Sequence, residues 1–557
     1  MPAFTAIVDT HTHYWHPPVY DRAIVERFLR LNRAAGIATS IELGNVGAYG
    51  PYPTPEQLRE ANDQTLALVR DFPAELAGLV YVNPSHGQAA LDEINRCVRD
   101  GNLIGIKLWV SNRAGDERVF PVAERALDLD VGILQHTWNK TVDQGADEST
   151  TRDVVELARR YPALRIQVAH LTGINFWGVL DLVPFPNVVV DTSGGQPQSG
   201  LVEFAVRHLG AERVVYGSDW PIRDLGCQVA RVTGSKLTPA EQRQVLSTNA
   251  RRFWKLPPEP AEAQHTAPVT AGQVVAPAAG SVAAGEGLSD VNAWFGPYPS
   301  NRHFPRRLAE LAAELARAGI AAAHVTPTEA IFGHEPADDC LRLAAAIAAL
   351  DRPPVTLTPG LCLRANQPAD RRRLPELARK TGARVLHLLP TYHGYRVEDE
   401  ACLAMVRFAR ELGLLTAVHL RLEDRRCTDP RLVTVDLGVE AVLKLAAAVA
   451  PTALLVCNAY GPEVRRLLKG ASNVRCDLSM VESGNTLPDL CQELPAGEVY
   501  PRLVFGSHAP FLYPGAVAAK LGTPEIDGAT RSGLAQGNLR RLVAEVEATP
   551  GTAPAGS

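Results

Sequence analysis

The chain has 557 residues, enough for three or four small domains or two large ones at about 150 residues each. Hydrophobic residues make up 46% and charged residues 21%, a balance that lets a soluble chain bury a full core. With 56 basic against 61 acidic side chains the net charge is -5, which gives no electrostatic reason to expect nucleic acid or an anionic membrane as partner. No run of about 18 apolar residues is present, so no spanning helix is expected. The start, MPAFTAIVDTHTHYW, has no basic region ahead of an apolar one, so no signal peptide is expected either. Nine cysteines fall at irregular spacings with no CxxC pair, which argues against a disulfide framework and for a reducing, cytoplasmic location.

In chain order, the first block alternates short apolar runs with amphipathic stretches. The runs AIVD (6–9), ATSIEL (38–43), AGLVYV (77–82), LIGIKLW (103–109), GILQH (132–136), RIQVAH (165–170), NVVVD (187–191) and RVVYG (213–217) read as strands. Segments such as DRAIVERFLRLNRAA and TPEQLREANDQTLALVRDF between them read as helices. Continuous apolar strands separated by helices indicate a parallel sheet covered on both faces. Eight such units in roughly 250 residues favour a closed barrel over an open sheet. Residues 257–287 then break the pattern: they are rich in Pro, Ala, Gly, Val and Glu, with no Lys, Arg or aromatic, and read as a flexible linker. The pattern resumes with LSDVNAW (288–294), AAAHV (321–325), PVTLT (354–358), ARVLHL (383–388), LLTAVHL (414–420), TALLVC (452–457), NVRCD (473–477) and RLVFG (502–506). The expectation is an α/β protein of two tandem (β/α)8 TIM-type barrels, 1–256 and 288–545, with a disordered tail over 546–557.

The chemistry concentrates at strand ends. VDTHTH ends the first strand and places His11 and His13 two residues apart, so both rings point the same way from extended backbone. Lys107 ends the fourth strand, His136 the fifth and His170 the sixth, while Asp219 follows the eighth. The carboxyl ends of barrel strands converge on one cavity, where barrel enzymes carry out their reactions. Several histidines plus a carboxylate suit Zn²⁺ first, and Mn²⁺ or Fe²⁺ next.

These motifs, DTHTH (9–13), GIKLW (105–109), LQHTW (134–138), VAHLTG (168–173), DTSGG (191–195), GSDWP (217–221) and STNARRFW (247–254), resemble the amidohydrolase superfamily. The branch resembled is the amidohydrolase-related one, similar to aminocarboxymuconate semialdehyde decarboxylase. The resemblance implies that His11, His13, His136 and Asp219 are the ligands of one divalent metal. It implies that His170 lies in the second sphere or acts as acid and base. Lys107, carboxylated in some branches, is read here as a charged or hydrogen-bonding group. In such a site the metal activates a water and Asp219 accepts its proton. His170 or Lys107 can stabilise the developing oxyanion. Trp15, Trp109, Trp138, Trp177 and Trp220 lie near these motifs and can wall an apolar pocket, although barrel packing explains them equally well.

Aligned by strand ends, the second block reads as an altered copy of the first. His11 corresponds to Asn292, His13 to Trp294, Lys107 to His387, His136 to His419, His170 to Asn458 and Asp219 to His508. The spacings from the first position agree to within eight residues over more than two hundred, which favours a repeat. Loss of the first-strand histidines and of the aspartate removes the water-activating centre, so this block is expected to be metal-free, with metal or anion binding by His387, His419 and His508 as the alternative. The first reading of function is a metal-dependent hydrolase of a small-molecule amide, lactone or ester. The second is a metal-dependent decarboxylase of a small unsaturated or aromatic acid, and the third a non-catalytic binding or scaffold protein. A pseudo-dimer of barrels within one chain, or a homo-oligomer, is the expected assembly.

Overall fold

A computed structural model describes residues 6–14, 20–174, 176–258, 287–299, 303–432 and 434–548. The chain divides into two compact units, 1–274 and 275–557. The expected linker, 257–287, lies outside the described residues except at its ends.

In the first unit eight parallel strands follow one another around a single sheet: β1 (Ile7–Thr12), β2 (Ile37–Glu42), β3 (Leu76–Tyr81), β4 (Gly105–Leu108), β5 (Gly132–Gln135), β6 (Ile166–Val168), β7 (Val188–Asp191) and β8 (Val214–Val215). The sheet returns on itself beyond β8, where Thr10 N donates to Tyr216 O at 3.0 Å and His13 N to Trp220 O at 2.8 Å. Local chemistry fixes the helices that cover it. Helix α1 (Arg22–Ala35) starts where the Asp21 carboxylate accepts from Ala23 N, and stops at Gly36, whose φ of 81° suits a residue without Cβ. Helix α2 (Pro55–Asp71) opens with a capping box between Thr54 and Gln57. Val8, Ile41, Leu79, Leu134, Val189 and Val215 form one buried cluster with Phe253 and Trp254 of the helix Asn249–Trp254. A Cβ added at Gly105 would run into the Trp254 ring, and one at Gly132 would come within 3.3 Å of it. The glycines that open β4 and β5 therefore make room for this tryptophan, whose Nε1 donates to Gln167 Oε1 at 2.8 Å. The two glycines place the Trp254 plug at the amino ends of these strands, leaving the carboxyl ends for polar groups.

The second unit holds two parallel sheets. One runs β11 (Thr356–Pro359), β10 (Ile320–Pro327), β9 (Leu288–Phe295); the other runs β12 (Leu361–Cys362), β13 (Val385–Leu388), β14 (Leu415–His419), β15 (Leu454–Cys457), β16 (Val474–Asp477), β17 (Leu503–Val504). The expected third strand (354–358) is observed as β11, and the short β12 follows it beyond Gly360, where a Cβ would strike Thr326 Oγ1. β11 pairs back to β10 and β12 pairs forward to β13. Past β17, Val291 N donates to Phe505 O at 3.2 Å and Trp294 N to Ala509 O at 2.7 Å. The last helix, Asn538–Ala548, runs beyond the expected boundary at 545 with Val546 buried; the rest of the expected tail lies outside the described residues. No helix among the described residues is long and apolar enough to cross a membrane.

Candidate metal centre

The six polar residues singled out at strand ends of the first unit, His11, His13, Lys107, His136, His170 and Asp219, are all buried. His11, His170 and Asp219 each offer a ligand atom within 4.8 Å of the others. Asp219 Oδ1 lies 3.6 Å from His11 Nε2 and 3.7 Å from His13 Nε2. His170 thus stands beside His11 and Asp219, within reach of the same point. The backbone bends sharply to allow this: His170 and Asp219 have φ of 66° and 65°, in the left-handed region that few side-chain-bearing residues adopt.

The hydrogen bonds set which ring nitrogens carry protons. His11 Nδ1 lies 2.9 Å from Asp191 Oδ2; a carboxylate only accepts, so Nδ1 is the protonated nitrogen and Nε2 keeps its lone pair. That Nε2 is buried and has no hydrogen-bond partner. His136 Nε2 lies 3.0 Å from Glu148 Oε1, which by the same argument leaves a lone pair on Nδ1. Ser193 Oγ has one hydrogen and gives it to Asp191 Oδ1 at 2.5 Å, so His170 Nδ1, 2.9 Å away, must donate to the serine. His170 Nε2 is then bare as well, and it faces His136 Nδ1 at 3.1 Å. Two lone pairs pointed at each other, with a third nitrogen and a carboxylate nearby, repel unless a cation stands among them. The residues fit a divalent metal.

Electrostatics agree. Burial raises the Asp219 carboxyl to about 6, with His11, Arg223 and Lys107 opposing. Burial also lowers Lys107 to about 8 against the pull of Asp191 and Asp219, and its Nζ has no hydrogen-bond partner. Burial holds His13 and His170 well below the usual imidazole range. Burial works against ionised Asp191, but His11, Ser193 and the His170 N–H outweigh it and keep the carboxyl at about 2.

The tryptophans separate. The Trp138 ring lies 5.2 Å from that of His170 and borders the centre. Trp220 stacks on Phe28 of α1 at 4.1 Å, and Trp109 packs against the cluster of Val46, Leu58 and Tyr81. Trp177 is exposed, and Trp15 lies outside the described residues. Sequence reasoning passed over Glu148, because an acidic residue just before the helix Thr151–Arg160 reads as an ordinary helix-start residue.

In the second unit Trp294 fills the corresponding place. Its Nε1 donates to Asn292 Oδ1 at 2.8 Å, and its ring meets His387 and His419 edge-on at 5.4 Å each. His387 Nδ1 and His419 Nε2 lie 2.8 Å apart, while His508 Nε2 donates to Leu422 O at 2.7 Å. Asn458 Nδ2 lies 3.2 Å from His419 Nδ1. Among the described residues, the one grouping of ligands close enough for a metal is that of His11, His170 and Asp219.

A parallel eight-stranded barrel with histidines and an aspartate converging at its strand ends defines a class of metal-dependent barrel proteins. Residues 8–256, most of the first unit, match the family model for amidohydrolases. Among curated proteins the chain is similar to an L-fucono-1,5-lactonase of Burkholderia ambifaria, 26% identical over 292 residues that cover 45% of this chain and 95% of that protein. It is also similar to a gamma-resorcylate decarboxylase of Polaromonas, 21% identical over 287 residues, covering 42% of this chain and 88% of that protein. A solved structure of 2,6-dihydroxybenzoate decarboxylase from Rhizobium matches with a TM-score of 0.39 and 19% identity, over 45% of this chain and 99% of that one.

Proposed function

We propose that the first unit is a metal-dependent hydrolase that opens a small lactone, ester or amide with water. The observation that carries this reading is the convergence of three bare ring nitrogens, on His11, His136 and His170, beside the Asp219 carboxylate. His11, His13, His136 and Asp219 would hold one divalent ion, Zn²⁺ by the donor set with Mn²⁺ or Fe²⁺ as alternatives, and His170 stands against the same point. When bound, the ion supplies positive charge that polarises a carbonyl and makes a water acidic. Asp219 would take the proton from that water and return it to the leaving atom. The Lys107 ammonium faces the same cavity and offers a donor to developing negative charge on the substrate oxygen. Trp138 gives the substrate an apolar wall. The resemblance to a lactonase over 95% of that protein's length supports a carbonyl substrate.

Decarboxylation of a small aromatic or unsaturated acid is the second reading, favoured by the similarity to gamma-resorcylate decarboxylases. There Asp219 would deliver the proton that replaces CO₂. For the second unit we propose a barrel descended by tandem duplication that has lost its metal. Equivalent hydrogen bonds support this. Ser218 N and Ser507 N donate to Asp9 and Asp290 at 2.9 Å each, and His170 N and Asn458 N to Asp191 and Asp477 at 2.9 and 3.0 Å.

Metal analysis of the purified chain tests the reading. About one equivalent is expected in the wild type and none in His11→Ala; a wild type without metal, or an unchanged variant, overturns it. Release of acid without CO₂ from lactones and esters distinguishes hydrolysis from decarboxylation.

A further inference from the structure

Glu148 is buried, comes from the segment between β5 and the helix Thr151–Arg160, and has no part in the ligand set argued above. Its two oxygens have different company. Oε1 faces His136 Nε2 at 3.0 Å, whereas Oε2 accepts from Lys140 Nζ at 2.7 Å, Gly145 N at 3.1 Å and Gln144 Nε2 at 3.2 Å. These three loop donors are thus directed to one oxygen, and the other meets the histidine.

We infer that Glu148 is the positioning residue of the metal centre: by accepting from His136 Nε2 it keeps that ring in the tautomer whose Nδ1 lone pair faces the metal position. The inference rests on the proposed metal centre. Without the carboxylate, His136 is free to move its proton to Nδ1 and donate it to His170 Nε2, 3.1 Å away. That single hydrogen bond ties up two of the three bare nitrogens. A metal would then have to break it before binding. Removal of a residue that orients a ligand costs about 10–100-fold in metal affinity.

The arrangement gives Glu148→Gln a specific outcome. Lys140, Gln144 and Gly145 all donate to the Oε2 position, so the amide oxygen settles there and the amide NH₂ turns to His136. The NH₂ donates to Nε2 and forces the proton onto Nδ1, the wrong nitrogen for the metal. Shape and loop contacts are otherwise preserved. Lys140→Met does the converse, removing the ion pair that ties down the loop while leaving Glu148 bonded to His136.

Chelator competition with Mn²⁺ on the full-length chain tests the assignment. E148Q is expected to bind about 10–100-fold more weakly than the wild type, and K140M within about threefold of it. E148Q binding as the wild type does, or K140M losing as much as E148Q, overturns the inference while leaving the metal centre in place. A wild type that binds no Mn²⁺ overturns both. ¹⁵N NMR of the histidine-labelled, metal-free wild type, with His136 assigned by its loss in His136→Asn, needs no Glu148 variant to fold. A protonated Nε2 and bare Nδ1 are expected for His136, and the reverse overturns the inference.

Discussion

Asp191 ties the ends of β1, β6 and β7 together through one carboxylate. It accepts from His11 Nδ1, Gln167 Nε2, the His170 N–H and both Ser193 N and Oγ, at 2.5 to 3.0 Å. At this scale the histidines and Asp219 were legible from the sequence, because an HxH pair on a strand and polar residues at strand ends have few other uses. The role of Asp191 was not, since DTSGG identifies a strand end without naming what bonds to it. Glu148 was invisible for a related reason: its partner His136 is reached only when the loop closes. Another buried acid, Glu42, accepts from Tyr14 N at 2.5 Å, and burial pushes its carboxyl up to about 8. An acid whose value is raised on folding binds its proton more tightly in the native state. Its contribution to stability is therefore complete below about 4.5, the ordinary value, and is lost as the pH rises through about 8. The slope from this one group approaches about 1.4 kcal/mol per pH unit within that window. Glu42→Gln is expected to flatten the fall in urea-unfolding stability between pH 5 and 8; an unchanged slope would place the dependence elsewhere.

Strands and helices of the first unit follow the sequence closely, since runs such as AGLVYV and NVVVD have an unbroken apolar core, as a strand covered on both faces requires. What local pattern does not carry is why GIKLW and GILQH each begin with glycine. The reason is tertiary: the Trp254 ring, from the far end of the unit's sequence, lies where their side chains would be. Gly105→Ala is expected to cost about 1–3 kcal/mol through overpacking, read as a lower urea midpoint. Metal content should not change, because Trp254 sits at the opposite end of β4 from Lys107. Loss of metal without loss of stability would contradict that placement. In the second unit the same limit appears at Gly360, where the neighbouring Thr326 side chain leaves no room for a Cβ.

Across the whole molecule, several aligned positions of the two units make like hydrogen bonds, while the side chains at the strand ends differ. The Asn292 side chain donates to Asp477 Oδ2 at 2.7 Å, as His11 does to Asp191, and Asn458 and His508 have φ of 61° and 55°, as His170 and Asp219 do near 65°. Because these supports remain, the triple variant Asn292→His, Trp294→His, His508→Asp is expected to raise metal content from about one to about two per chain. A content that stays at one would mean that the remaining frame does not suffice to build a centre. The bond between Asn292 and Asp477 has a practical consequence as well. An amide donates to the carboxylate but brings no imidazole lone pair, so this position offers an added ion nothing to bind.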